Sequence, residues 1–146
     1  MRFVTEDRVR SIAGWAPFII RLAIAAVFMA HGAQKLFGAF GGPGISHTAM
    51  FMGKLGVHPP LFWAWVVAMT EFFGGLAILL GFLTRLAAIA IVVDMIVAIA
   101  VVHAKHGFFM MNGGFEYPLV CLLMALSLVF SGAGPYSIDR LIRWKY

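Results

Sequence analysis

Read as a sequence, the chain predicts an all-α polytopic membrane protein: a bundle of four transmembrane helices with a long external loop after the first. Three observations carry this. Of the 146 residues, 62% are hydrophobic and 12% charged, whereas a soluble domain is nearer half apolar and a quarter charged. A chain this short has too little interior to hide the surplus, so lipid is its natural solvent. The apolar residues also gather in four runs near spanning length. Finally, the basic residues divide unevenly among the segments that join those runs.

The first run covers about residues 15–36, with Pro17 in its first turn, where proline is tolerated. Residues 38–60 form the long loop. It starts with a glycine-rich turn, and its middle, Ser46 to Leu55, places Met50, Phe51, Met52 and Leu55 around a short helix suited to the membrane interface. The second run, about 61–81, is announced by Pro59 and Pro60. The link Phe82–Arg85 is a tight turn, and the third run covers about 86–102. A polar link follows, with Asn112, Gly113 and Gly114 as its turn signal. The fourth and shortest run covers about 117–130, with Pro118 in its first turn. Trp15, Tyr117, Tyr136 and Trp144 read as interface anchors. There is no internal repeat, so residues 1–146 are read as a single membrane domain.

Orientation follows from the basic residues. The N-terminus, the 82–85 turn and the tail carry Arg2, Arg8, Arg10, Arg85, Arg140, Arg143 and Lys145, and the other links carry Lys35, Lys54 and Lys105. Seven against three places both termini in the cytoplasm, in the cytoplasmic (inner) membrane of the cell. The first eighteen residues mix acids with bases and lead into too long an apolar run for a signal peptide. The net charge of +5 is therefore a topology signal rather than a nucleic-acid footprint, and lipid is the expected partner. The single cysteine, Cys121, excludes an intramolecular disulfide and any multi-cysteine metal site. It reads as a small hydrophobe.

Ionisable groups at membrane depth are expensive and mark function by default. Arg21, Glu71 and Asp94 lie inside runs one, two and three. Counting from the inner helix ends at 1.5 Å per residue puts Arg21 about 8 Å deep and both acids about 15 Å deep. Arg21 is long enough to reach either acid. A buried pair of Arg21 with Glu71 or Asp94 that fixes helix packing is one expectation. A proton-handling carboxyl at Glu71 is the other. Toward the outer surface, His31 and Lys35 are four apart and share a helix face. With His58, His103 and Glu116 they suit either a polar pocket or a set of side chains that snorkel to water. No HxxEH-like or cysteine-rich spacing supports a metal; His31 and His103 lie on different helices as bis-histidine haem ligation needs, but about one turn apart in depth. Gly74 and Gly75 beside Glu71 suit close helix packing or room for a flat ligand.

Three segments together resemble the DoxX family of small membrane proteins: RLAIAAVFMAHGAQKLFG at 21–38, EFFGGLAILLGFLTRLAA at 71–88 and GAGPYSIDRL at 132–141. The positions that match the pattern are Arg21, Gly32, Lys35, Glu71, Gly74, Gly75, Gly81, Arg85, Gly132, Gly134, Pro135, Ser137, Asp139 and Arg140. Asp94 is not among them. The resemblance implies four helices and favours Arg21–Glu71 as the intramembrane pair. The family takes its name from a subunit of a thiosulfate:quinone oxidoreductase, and relatives are linked to quinone or thiol redox stress. Thiosulfate, a doubly charged anion, needs a cationic site such as His31, Lys35, Lys54 and His103 would build. With one cysteine no dithiol mechanism is available.

The expectation is a membrane component of a quinone-linked redox system. Glu71 and His31 are its candidate catalytic groups, and Lys35, His103, Gly74 and Gly75 its candidate quinone contacts. Two other readings stand beside it: a non-catalytic scaffold that anchors a redox partner, and a small-solute or ion pathway gated by Glu71. No dinucleotide fingerprint is present, so a nicotinamide or flavin belongs to another protein. Oligomeric state and the identity of any soluble or membrane redox partner stay open.

Overall fold

A computed structural model describes residues 14–142. Arg2, Arg8, Arg10, Arg143 and Lys145, five of the residues behind the orientation, lie outside them, as does Trp144. Among the described residues the protein is all-α. Helix α1 spans Trp15–Phe37 and α2 Gly44–Lys54. Helix α3 spans Pro60–Leu80, with proline at its first position. Helix α4, Thr84–Ala98, continues through a π turn at Ile99–His103 and a 3₁₀ turn at Ala104–His106. Helix α5 spans Glu116–Ser131, and the single turn α6 spans Ile138–Leu141. The rods Trp15–Phe37, Pro60–Leu80 and Thr84–His106 are long and apolar enough to cross a membrane, and α5 is a shorter apolar helix. The helix within the long loop begins two residues before the stretch read from sequence.

The four long helices form a ring in which α1 packs on α3, α3 on α4, α4 on α5, and α5 back on α1. Each turns a narrow stripe inward. On α1 it is Arg21, Ile24, Ala25, Phe28 and Gly32. On α3 it is Ala64, Ala68, Glu71, Gly75 and Ile78. Steps of three and four residues keep each stripe on one face of a 3.6-residue helix. Ile24, Phe28, Ile78, Ile91 and Leu128 meet in the shared core. Large apolar residues such as Ile19, Leu86, Val93 and Phe130 point outward. In water they would form a continuous exposed apolar surface; here they are the face for lipid.

Small residues set the register between α1 and α3. The α-carbon of Gly32 lies against the backbone of Phe72, so a side chain at 32 has no space. Gly75 sits against Phe28 and Met29 one turn away, where an added methyl would stand 3.0 Å from the Met29 backbone nitrogen. This antiparallel register has a further consequence. Gly81, at the end of α3, lies directly against the Arg21 guanidinium. The ends of the two helices are therefore not level, and α1 begins below the last turn of α3.

Candidate functional site

The two cations that α1 carries inward, Arg21 and Lys35, have different partners. Arg21 is 1% exposed. Its Nε donates to the Ile78 carbonyl at 2.8 Å and its Nη2 to Leu79 at 2.6 Å. Its Nη1 donates to Ala133 at 3.0 Å and to Pro135 and Tyr136 at 3.2 Å. These are carbonyls at the end of α3, of which Ile78 also accepts from the Gly81 N–H, and carbonyls of the segment after α5, places where a helix leaves acceptors to be satisfied from outside. Arg21 thus ties three parts of the chain at one end of the bundle. It pairs with neither Glu71 nor Asp94, which corrects the ion pair expected from sequence. Equal depths follow from sequence only if the helix ends lie in one plane. The observed register instead puts Arg21 level with Gly81, and Glu71 is ten residues and about 15 Å farther along α3.

The segment after α5 is built for this role. The Ser137 hydroxyl donates to the Gly134 carbonyl at 2.9 Å and accepts from the Arg140 N–H at 3.3 Å. Asp139 accepts from the N–H groups of Leu83 at 2.8 Å and Thr84 at 3.0 Å, and so caps the start of α4. Its own N–H donates to the Gly81 carbonyl at 2.8 Å. Gly81 closes α3 at φ 66° with Ser137 packed against it, so only glycine serves there.

At the other end of the bundle, Lys35 of α1 forms an ion pair with Glu71 of α3. Glu71 is 5% exposed. The pair lines a cavity of about 750 Å³ bounded by α1, α3, α4 and α5 and roofed by α2. Its walls are mainly apolar, among them Phe28, Phe51, Met52, Trp63, Met95 and Val101. His31, Asp94, His103 and Tyr117 add polar groups, and the His31 and Tyr117 rings lie 6.3 Å apart. Asp94 is close enough to interact electrostatically with both Glu71 and Lys35. Its Oδ2 is buried and has no hydrogen-bond partner among the described residues. The His103 Nδ1 lies 2.7 Å from the Gly113 carbonyl. Since a carbonyl only accepts, Nδ1 carries the hydrogen and Nε2 is left as an acceptor when the ring is neutral.

Most of the residues singled out from sequence therefore converge: His31, Lys35, His58, Glu71, Asp94 and His103 all line this cavity. Gly74 and Gly75 do not. Gly74 faces Ile91 of α4 and Gly75 faces α1, so both serve helix packing and neither contacts the cavity. Glu116 is also elsewhere, its carboxylate accepting from the Met110 N–H at 2.9 Å in the loop. The short helix α2 packs on α3 and turns Phe51, Met52 and Leu55 into the cavity. Sequence reasoning missed Tyr117, Cys121 and His47 as cavity groups. A signal was present for the first two. Tyr117 and Cys121 are four apart on α5, in line with the buried Ala125 and Leu128. Among the described residues no three histidine, cysteine or acidic groups are placed to hold a metal ion.

The model of the DoxX family matches residues 16–104, which contain Arg21, Lys35, Glu71 and Asp94. The chain belongs to the DoxX family. It is 33% identical over 138 residues to the "Inner membrane protein YqjF" of Escherichia coli K12, covering 88% of this chain and 92% of that one. It is 31% identical over 124 residues to the "Putative oxidoreductase CatD" of Bacillus subtilis 168, covering 85% and 84%. No solved structure matches the chain significantly. This DoxX protein is a multi-pass membrane protein. The family match ends before residues 132–141, yet those residues complete the carbonyl cage around Arg21.

Proposed function

We propose that this DoxX protein is the membrane component of a quinone-linked redox system and that the cavity beside Lys35 and Glu71 takes up the quinone head. The observation that supports this reading most is the cavity itself: about 750 Å³, within the range of small-molecule sites, with apolar walls and a few polar groups gathered together. The unpartnered Oδ2 of Asp94 fits a ligand with a polar edge, because a buried acceptor without a partner is costly. The name of the Bacillus relative gives the redox reading independent support. When bound, a quinone supplies two-electron, two-proton redox chemistry.

The chain's own residues hold and place the polar groups. His31, exposed to the cavity, is a donor for a carbonyl oxygen. Lys35 is held in place by Glu71 and puts positive charge beside it, as stabilisation of developing negative charge requires. Glu71 and Asp94 are the carboxyls able to hold or release a proton at the cavity wall. Trp63, Phe51 and Met52 supply the apolar contact. In this reading the cavity opens toward the outer half of the membrane and both termini are cytoplasmic. Reporter fusions at residue 146 and in the 82–85 turn then read cytoplasmic, and fusions near residues 45 and 110 external.

The direct test is mass spectrometry of small molecules retained after gentle detergent extraction, with titration of added quinone. Retained or bound quinone is expected, and His31→Leu is expected to lower redox turnover about 10²–10³-fold in a reconstituted system while the bundle stays folded. If no quinone is retained or bound, and His31→Leu behaves like wild type in cells, the quinone reading fails. A soluble oxidoreductase that co-purifies would then favour the scaffold reading. Solute flux in sealed vesicles would favour the pathway.

A further inference from the structure

The end of the bundle that holds Arg21 carries a second cavity, and nothing in the redox reading uses it. It has a volume of about 810 Å³ and lies where the 82–85 turn, the first turns of α4 and the segment after α5 meet. One part of its lining is apolar: Leu83, Leu86 and Ile89, of which Leu86 and Ile89 lie on the exposed face of α4. The other part carries two cations, Arg85 and Arg140, both exposed. The only hydrogen bond of the Arg85 guanidinium among the described residues is a long one, 3.4 Å, to the Phe130 carbonyl. The Arg140 side chain has no partner among the described residues, its backbone N–H alone being bonded, to Ser137.

One acid, Asp139, also lines this cavity. Both of its oxygens already accept from the N–H groups of Leu83 and Thr84. It stabilises the start of α4 and pairs with neither arginine, since the only ion pair among the described residues is Lys35–Glu71. Among the described residues two cations are therefore left without anions, at the point where the end of an apolar helix face meets the polar surface of the molecule. A soluble anion needs no apolar wall, and an apolar partner needs no pair of guanidinium groups. A phospholipid with an anionic head needs both. Its phosphate matches the planar donor fork of arginine, and its acyl chains would run along Leu86 and Ile89 toward the membrane interior. Basic pockets beside transmembrane helix ends recruit such head groups in this way.

We propose that this cavity is a binding site for an anionic phospholipid, held at its phosphate by Arg85 and Arg140. The proposal is independent of any ligand in the Lys35–Glu71 cavity. Each arginine near an anionic head group contributes about fivefold in affinity, so the pair implies a preference of about thirtyfold for an anionic over a zwitterionic lipid.

The experiment uses the full chain in mild detergent. Phosphatidylglycerol and phosphatidylcholine with the same acyl chains are supplied in equal amounts, and the retained lipid is read by native mass spectrometry. Inorganic phosphate is supplied in a separate arm, read by thermal melting. Wild type is expected to retain phosphatidylglycerol about thirtyfold over phosphatidylcholine. Arg140→Gln should lower that ratio about fivefold, and Arg85→Gln with Arg140→Gln should bring it near one. Lys105→Gln, a basic residue in the link between α4 and α5, should leave the ratio unchanged. Arg140→Gln removes a side chain that holds no other described residue, so it decides the matter even if the double variant does not fold. Equal retention of the two lipids overturns the proposal, as does a preference that survives Arg140→Gln undiminished. If inorganic phosphate stabilises the protein as much as phosphatidylglycerol does, the site takes a free anion and the lipid assignment falls.

Discussion

The two ends of this bundle solve the same problem in opposite ways. Each must bury a cation carried on the inner stripe of α1, and the two cations are fourteen residues apart. At one end, Arg21 is spent on five backbone carbonyls from two segments, the end of α3 and the stretch after α5. Its planar fork spreads donors over both segments, and every described acceptor is a carbonyl, with Asp139 acting on it only through space. At the other end, Lys35 meets the single carboxylate of Glu71 at the wall of a cavity, and a second acid, Asp94, has an oxygen with no partner among the described residues. The first arrangement has nothing left to offer a ligand. The second keeps charge, an open acceptor and space together. A buried ion in a small membrane protein is therefore a clue to function only after its partners are known. Arg21 is the more deeply buried of the two cations, and it is the structural one.

The contrast can be broken by substitution, and the largest effect belongs to Arg21. Arg21→Met would remove the side-chain donor from five buried or partly buried carbonyls, at up to about 1–3 kcal/mol for each one left without a partner. Against a typical total stability of about 5–15 kcal/mol, the expected outcome is loss of folded protein, read as monodisperse yield and melting temperature in detergent. Arg21→Lys should recover little, since a single ammonium cannot span five carbonyls on two segments. Adding Glu71→Gln to Arg21→Met should bring no recovery, with the two costs adding to within about 0.5 kcal/mol, as for residues that share no partner. Recovery would restore the Arg21–Glu71 pair that the geometry replaces.

Next in size are the members of the other pair. Lys35→Met and Glu71→Gln each leave one partner of a partly buried pair without the other, at about 3–5 kcal/mol for a fully buried case and less here, where Lys35 keeps some contact with water. Lys35→Met together with Glu71→Gln should recover part of that loss. A double variant as poor as the sum of the singles would mean that the two residues are not coupled.

The glycines sharpen the comparison at a smaller scale. Gly32→Ala forces a methyl into the Phe72 backbone and should cost about 1–3 kcal/mol through separation of α1 from α3. Gly74→Ala meets only the end of Ile91 at 3.6 Å, an ordinary contact, and should be near neutral. If Gly74→Ala instead abolished quinone binding without loss of stability, the glycine would belong to the cavity after all. Asp139→Ala, which uncaps α4, should cost about 1 kcal/mol. It should lower the melting temperature slightly and leave the Lys35–Glu71 cavity untouched.

The residues that sequence reasoning placed well were those whose position follows from a single helix. His31 and Lys35 were read as sharing a face because they are four apart, and both line the cavity. The misplacements concerned relations between helices. Depths counted from level helix ends match Arg21 to an acid. The real offset is set by Gly32 against Phe72 and Gly75 against Met29, contacts that no count along one run contains. Gly74 and Gly75 look alike in sequence because they are adjacent. Adjacent residues on a helix are turned by about 100° from one another, so one faces α4 and the other α1.

What the sequence by itself determined is the solvent and the class of fold. Hydrophobic burial is roughly additive over residues, so composition and run length alone show that this chain must be helical and in lipid. It also determined which ionisable residues had to be explained, since their cost at membrane depth does not depend on their partners. Only the tertiary structure decided which partners they have. A hydrogen bond or ion pair is made or lost within about an ångström, and the rotation and offset that bring Arg21 to carbonyls and Lys35 to Glu71 come from the packing of whole helix faces.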